Sequence, residues 1–165
     1  MPSRYCESDR VRGHAVEITR GRLLGYDQVD AIARWVHANL RYAPDADPEP
    51  VSAETILARG NGVCRDYAHV GMALCRSLSI PARYVVGYLQ DLEPMDIHAW
   101  FEAFVGGRWY TFDPMRPDSD GGRVTMAYGR DAADTVVFSQ FGPPVVPESI
   151  DVFVQPMDGS ASTRK

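Results

Sequence analysis

Cys64, His98 and Asp113 are the residues of this chain whose types and surroundings suit chemistry. Cys64 follows the turn Gly60-Asn61-Gly62 and opens a segment, to about Leu78, in which Cys64, Ala68, Gly71, Cys75 and Leu78 recur at helical spacing. In the first turn of a helix a cysteine meets N–H groups with no intrahelical partner and the positive end of the dipole. The spacing therefore predicts a sulfur biased toward thiolate, beside donors suited to a developing oxyanion. An imidazole in reach would pair with that thiolate and later protonate a leaving amine, and a carboxylate would fix the imidazole's tautomer.

The elements that must bring them together are legible. Two β-rich runs, His98–Val105 and Arg108–Asp113, are joined by Gly106-Gly107, a favoured two-residue hairpin loop. Pairing Val105 with Arg108 sets Phe101 opposite Phe112, Glu102 opposite Thr111 and Trp100 opposite Asp113. With a period of two, His98, Trp100, Glu102 and Asp113 then share one face, His98 and Asp113 as diagonal neighbours about 7–8 Å apart at Cα.

Upstream, Val29, Ile32, Ala33, Val36 and Leu40 mark an amphipathic helix, with Asp27 as its cap and Pro44 as its stop. Ser52 caps a short helix to about Arg59. Small residues along the Cys64 helix would let it sit close to a sheet. Pro81 ends that segment before a Tyr- and Val-rich strand, Ala82–Leu89. Met1–Arg22 has no clean period and reads as an arm or first strand. Further strands are expected at Val124–Tyr128, Thr135–Phe138 and Ile150–Val154.

Composition narrows the partners. The 165 residues are 45% hydrophobic, and the net charge of −5 repels phosphate backbones and anionic lipid, so neither nucleic acid nor a membrane is expected. No apolar run is long enough to span a bilayer and residues 1–25 lack a signal-peptide stretch. Three cysteines, an odd number, suit a reducing compartment, and the cytoplasm is the expected location.

Against the catalytic reading stands the ordinary one, a buried cysteine and a hydrogen-bonded strand histidine. A zinc site from Cys64, His69 and His98 is disfavoured, because no C-x-x-C or H-E-x-x-H is present and His69 lies about 140° around the helix from Cys64. No metal or cofactor is expected. Cys75 shares the Cys64 face about 16 Å along the axis and reads as core. Asp66 suits the helix dipole and Arg65 a nearby carboxylate. Cys6, His14 and His37 carry no assigned role. Glu102 would line the cleft or pair with an arginine. Two acidic loops, Asp45 to Glu54 and Asp91 to Asp96, would flank one cleft and favour a cationic peptide or amine.

Four ordered motifs, G-V-C-R-D-Y-A at 62–68, I-P-A-R-Y-V-V-G-Y at 80–88, H-A-W-F-E at 98–102 and G-G-R-W-Y-T-F-D-P at 106–114, closely resemble the transglutaminase-like superfamily, whose bacterial members include cysteine proteases. The resemblance spans roughly residues 27–140. It implies an α+β, papain-like core, with N-terminal helices packed on an antiparallel sheet, and a Cys-His-Asp set at Cys64, His98 and Asp113. Family members often add an oxyanion donor upstream of the cysteine. Of Trp35 and Tyr42, Tyr42 is preferred because its place at a helix end turns it toward the Cys64 loop; Trp100 and Glu102 are the other candidates for substrate contact.

P-S-R-Y-C-E-S-D at 2–9 and G-R-D-A-A-D at 129–134 resemble a bacterial subgroup carrying a β domain upstream. Residues 1–26 are accordingly expected to be an arm joining such a domain, 27–155 the catalytic domain and 156–165 a disordered tail. The activity expected is thiol-dependent acyl transfer on peptide or glutamine amides through a thioester. Hydrolysis by a cysteine protease or amidase is expected over transamidation, since water is always present whereas an amine acceptor needs a site that excludes it. The remaining alternative is a non-catalytic peptide-binding module, against which the intact residue set argues.

Overall fold

The computed structural model describes residues 1–45, 49–119, 121–136, 141–143, 149 and 151–155. Along them run α1 (Arg12–Ile18), α2 (Tyr26–Asn39), β1 (Arg41–Tyr42), α3 (Ala53–Arg59), β2 (Asn61–Gly62), α4 (Cys64–Ser77), β3 (Ala82–Leu89), β4 (His98–Val105), β5 (Arg108–Phe112) and β6 (Arg123–Gly129). A 3-10 turn, Ala132–Asp134, follows. This is an α+β fold in which helices cover one face of an antiparallel sheet of order β5-β4-β3-β6.

Helix α4 is the axis of the packing, touching α1, α2 and α3 on one side and β3 and β4 on the other. Its small side chains make this possible. A Cβ on Gly71 would come within 2.5 Å of Phe101 Cε1, so the ring of β4 lies directly on the helix backbone. Ala68, Ala73, Leu74 and Cys75 are fully buried, as is the predicted apolar stripe of α2 at Val29, Ile32 and Val36. Tyr67 Oη donates to the Leu40 carbonyl at 2.7 Å and ties α4 to the end of α2.

The β4–β5 hairpin has the register its glycines demand, with Val105 opposite Arg108, Glu102 opposite Thr111 and Phe101 opposite Phe112. Both Gly106 (φ 58°) and Gly107 (φ 84°) adopt the positive φ that such a loop needs. The inner sheet face carries Tyr84, Val86, Ala99 and Phe101 into the main core. On the outer face Val85, Leu89 and Trp100 form a separate cluster with Leu92 packed on it.

Several expectations are corrected. Met1–Arg22 is no strand; it contains α1, and Cys6, Val11 and Ala15 belong to the main core. Seven residues span too few turns for a period to show. Helix α2 is capped by Gly25, whose N–H donates to Gln28 Oε1 at 3.3 Å, with Asp27 already in its first turn. It ends at Asn39 rather than at Pro44, and the chain passes into β1, which pairs in parallel with β2 in what reads as a turn. Thr135 and Val136 are not strand, nor are residues 151–154; residues 137–138 and Ile150, which complete those expected strands, lie outside the described residues, as does the tail 156–165. Among the described residues no helix is long and apolar enough to cross a membrane.

Candidate active site

Cys64 is the first residue of α4. The turn before it is held by Asp66, fully buried, whose Oδ2 accepts the Val63 N–H at 3.0 Å while Oδ1 accepts from Arg65 Nε at 3.2 Å. Arg59 adds a longer ion pair at 3.7 Å. A carboxylate here suits the positive end of the helix. It also occupies the space beside Gly62, where a Cβ would stand 2.6 Å from Asp66 Cβ. As the first N–H of the helix, that of Cys64 has no partner in the α4 ladder.

His98 opens β4 opposite Gly87. Its Nε2 lies 2.8 Å from Asp113 Oδ2, with the two side chains 2% and 1% exposed. The second carboxylate oxygen accepts the Arg116 N–H at 3.2 Å, and His37 Nδ1 donates to the Pro114 carbonyl at 2.9 Å, so α2 anchors the segment that presents Asp113. With Nε2 committed to Asp113, Nδ1 is the nitrogen left for Cys64, which lines the same cleft. Burial lowers the His98 pKa, but the hydrogen bond to Asp113 and the neighbouring Cys64 sulfur outweigh it and push it up to about 9. At neutral pH the ring is therefore an imidazolium between a carboxylate and a sulfur.

Cys64, His98 and Tyr42 open into one cleft of about 950 Å³. Tyr42 arrives through the β1–β2 pairing, which sets it opposite Gly62. Trp100 and Glu102 do not line the cleft, correcting their assignment to substrate contact. Trp100 is buried in the outer-face cluster with its ring 6.2 Å from that of His98, and Glu102 accepts a 2.7 Å hydrogen bond from Arg83 Nε. Trp35 borders a separate hollow of about 430 Å³ with Glu54, which pairs with Arg10. Of the two acidic loops, the later one brings Glu93 and Asp96 to the cleft; among the described residues the earlier one brings only Pro50.

Sequence reasoning missed the far wall. Tyr5, Tyr84 and Ala132 line it, and behind them His69 is fully buried, with ring centroids 5.5 Å and 5.2 Å from those of Tyr5 and Tyr84. His69 Nε2 accepts the Ala132 N–H at 3.1 Å, and Asp131 accepts the N–H groups of Tyr5 and Ala133. Burial drives the His69 pKa down to about 3, so the ring is neutral. No local signal marks the contacts of Tyr5 with His69 and Asp131 or of His69 with Ala132, which join positions more than 60 residues apart. Burial likewise pushes the Cys6 thiol up to about 12 and raises Cys75. Among the described residues no group of three or more His, Cys, Asp or Glu stands close enough to hold a metal ion.

Residues 12–114 match the model of the transglutaminase-like superfamily. The chain belongs to that superfamily. A relative, the uncharacterized protein ML0607 of Mycobacterium leprae, is 34% identical over 115 residues, covering 64% of this chain and 41% of its own. The uncharacterized protein Rv2569c of Mycobacterium tuberculosis is 30% identical over 128 residues, covering 66% and 40%. The chain thus spans about two-fifths of the curated relatives it matches. Among solved structures, one from Cytophaga hutchinsonii, called a "Putative Cysteine Protease", superposes with a TM-score of 0.81 at 40% identity, over 94% of this chain and 57% of that one. Legionella pneumophila LapG, with a TM-score of 0.53 at 13% identity, shares the fold. The papain-like transglutaminase core is thereby the fold of this chain.

Proposed function

We propose that this transglutaminase-like chain is a thiol-dependent amidase acting on peptide amides. The observation that carries the reading is the series Asp113, His98, Cys64, the carboxylate and imidazole buried and the half-buried sulfur at a helix N-terminus, lining a cleft of about 950 Å³. The Cytophaga hutchinsonii protein, alike over nearly the whole chain, carries a name of the same kind.

The geometry serves a two-step transfer. Cys64 sulfur, as thiolate beside the His98 imidazolium, attacks the amide carbon; a C–S bond forms and the carbonyl electron pair moves to oxygen. The Cys64 N–H is one donor to that oxyanion and the Tyr42 hydroxyl the other. When the oxyanion collapses the C–N bond breaks, and His98 gives its proton to the departing nitrogen, leaving a thioester and a neutral imidazole. A water molecule then gives its proton to His98 as its oxygen attacks the thioester carbon, and the C–S bond breaks to return thiolate. Asp113 stays ionised throughout and holds the ring. A primary amine in place of water would give transamidation. The charge relations are the same, and a glutamine peptide incubated with and without an amine separates the two by product mass.

The test is the rate of iodoacetamide alkylation of each cysteine between about pH 5 and 8, in the native chain and in His98→Ala. Fast labelling of Cys64 near pH 6 that slows in the variant is the expected result. Labelling no faster than an ordinary thiol of pKa about 8.5, unchanged by the substitution, overturns the reading and leaves the peptide-binding module.

A further inference from the structure

The cleft is electrically polarised along its length. Tyr84 pairs with Gly129, which leads to the 3-10 turn bearing Ala132, whereas Gly87, three residues further along β3, pairs with His98, which follows the Leu92–Ile97 segment. The two ends of the cleft are therefore offset by about 10 Å along β3, at roughly 3.3 Å per residue, and lie on opposite sides of that strand.

The N-terminal residues join the first end, where the Tyr5 N–H donates to Asp131 Oδ2 at 3.0 Å and Ser3 Oγ to the Arg130 carbonyl. Arg4 lines the cleft here. So does Arg65, which is ion-paired with Asp66. At the second end Glu93 and Asp96 line the cleft beside His98. Arg4, Glu93 and Asp96 are exposed, and among the described residues none of the three forms an ion pair. Their charges are thus presented to whatever enters.

The chemistry orients a substrate between these ends. His98 protonates the departing nitrogen, so the amine half of an amide leaves at the Glu93 and Asp96 end. The acyl half, held on Cys64, extends toward Arg4 and Tyr5. We propose, on the footing of the amidase reading, that the cleft selects peptide amides carrying a cationic group on the amine side of the scissile bond and a carboxylate on the acyl side. Both contacts are solvent-facing, so each charge is worth a few-fold in rate and is weakened by salt.

Alkylation of Cys64 reads this preference without requiring turnover. For the amine side, N-aminoethyl, N-carboxymethyl and neutral N-propyl bromoacetamide are compared at low ionic strength; in each the sulfur forms a C–S bond and bromide leaves. The cationic reagent is expected to react about tenfold faster than the anionic one, each taken relative to the neutral reagent. In the double variant Glu93→Gln, Asp96→Asn that ratio is expected to fall to about twofold or less.

For the acyl side, peptidyl chloromethyl ketones with Glu or Lys two residues before the reactive group are compared. The Glu reagent is expected to lead about fivefold, and to lose its lead in Arg4→Gln. Equal rates for opposite charges, or a preference that these variants leave intact, overturn the assignment at that end. Failure of the amidase reading has a separate signature, since it appears as loss of any dependence of Cys64 reactivity on His98, whatever the reagent's charge.

Discussion

His98 Nε2 and Asp113 Oδ2 stand 2.8 Å apart, and the other Asp113 oxygen is held by the Arg116 N–H. An Asn at 113 keeps the shape but can turn an N–H toward Nε2, which forces the wrong tautomer on the ring. Asp113→Asn is expected to lower peptide turnover by about 10²–10⁴-fold. The check is the pH 6 alkylation rate of Cys64 together with kcat, with far-UV dichroism unchanged. A variant that retains turnover within about twofold places Asp113 outside the mechanism.

The same contact ties stability to alkaline pH. His98 titrates at about 9 in the folded chain against 6.5 for an ordinary histidine, so the native state holds this proton more tightly than the unfolded one. Its stabilisation is fully present below about 6.5 and is lost as pH rises through about 9. Urea midpoints measured from about pH 6 to 10 are expected to fall over that window in the native chain and to stay flatter in His98→Asn. Turnover is expected to fall above about pH 9 as the proton donor is lost.

His69 works with the opposite sign. Its folded pKa of about 3 lies below the ordinary 6.5, because burial disfavours the imidazolium, so the unfolded chain binds the proton more readily. The contribution is complete above about 6.5 and is lost as pH falls toward about 3. Protonation would also abolish acceptance of the Ala132 N–H. Acid unfolding monitored by near-UV dichroism is expected to begin at lower pH in His69→Gln, with the far wall of the cleft loosened at neutral pH. An imidazole that titrates near 6.5 by NMR in the folded chain would contradict this.

Gly71 sets two effects against each other. Replacing it with Ala gains about 1 kcal/mol in helix propensity. The new methyl, however, meets Phe101 at 2.5 Å, and overpacking of that kind typically costs about 1–3 kcal/mol. The neighbour is an aromatic ring locked in the core rather than the end of a flexible chain, so the collision wins. Gly71→Ala is expected to be destabilised by up to about 2 kcal/mol in urea titration, and Gly71→Ala combined with Phe101→Leu less so.

The contact between His98 and Asp113 is legible in the chain because two adjacent glycines leave the hairpin one register. From it the shared face follows residue by residue. The start of α4 is legible for a similar reason, a glycine turn followed by small residues at helical spacing. What period two does not reveal is which part of a face opens to a cleft. Trp100 and Glu102 share the His98 face, yet Trp100 is closed over by Val85 and Leu89, and Glu102 is taken by Arg83. The β1–β2 pair escapes notice because each strand has two residues and its partner lies across α3. The wall of Tyr5, His69 and Ala132 escapes because contacts across such separations leave no local pattern.

The Tyr5 N–H and the Asp131 carboxylate are 126 positions apart in the chain, and that one hydrogen bond helps to shut the far wall of the cleft. Closing so large a loop is entropically costly and tends to come late in folding. The sulfur and its imidazole, by contrast, are assembled from α4 and a local hairpin. By sequence separation the reactive group is expected to assemble before the walls that discriminate among electrophiles. A chain whose first residues are clipped away would keep a nucleophile while losing selectivity.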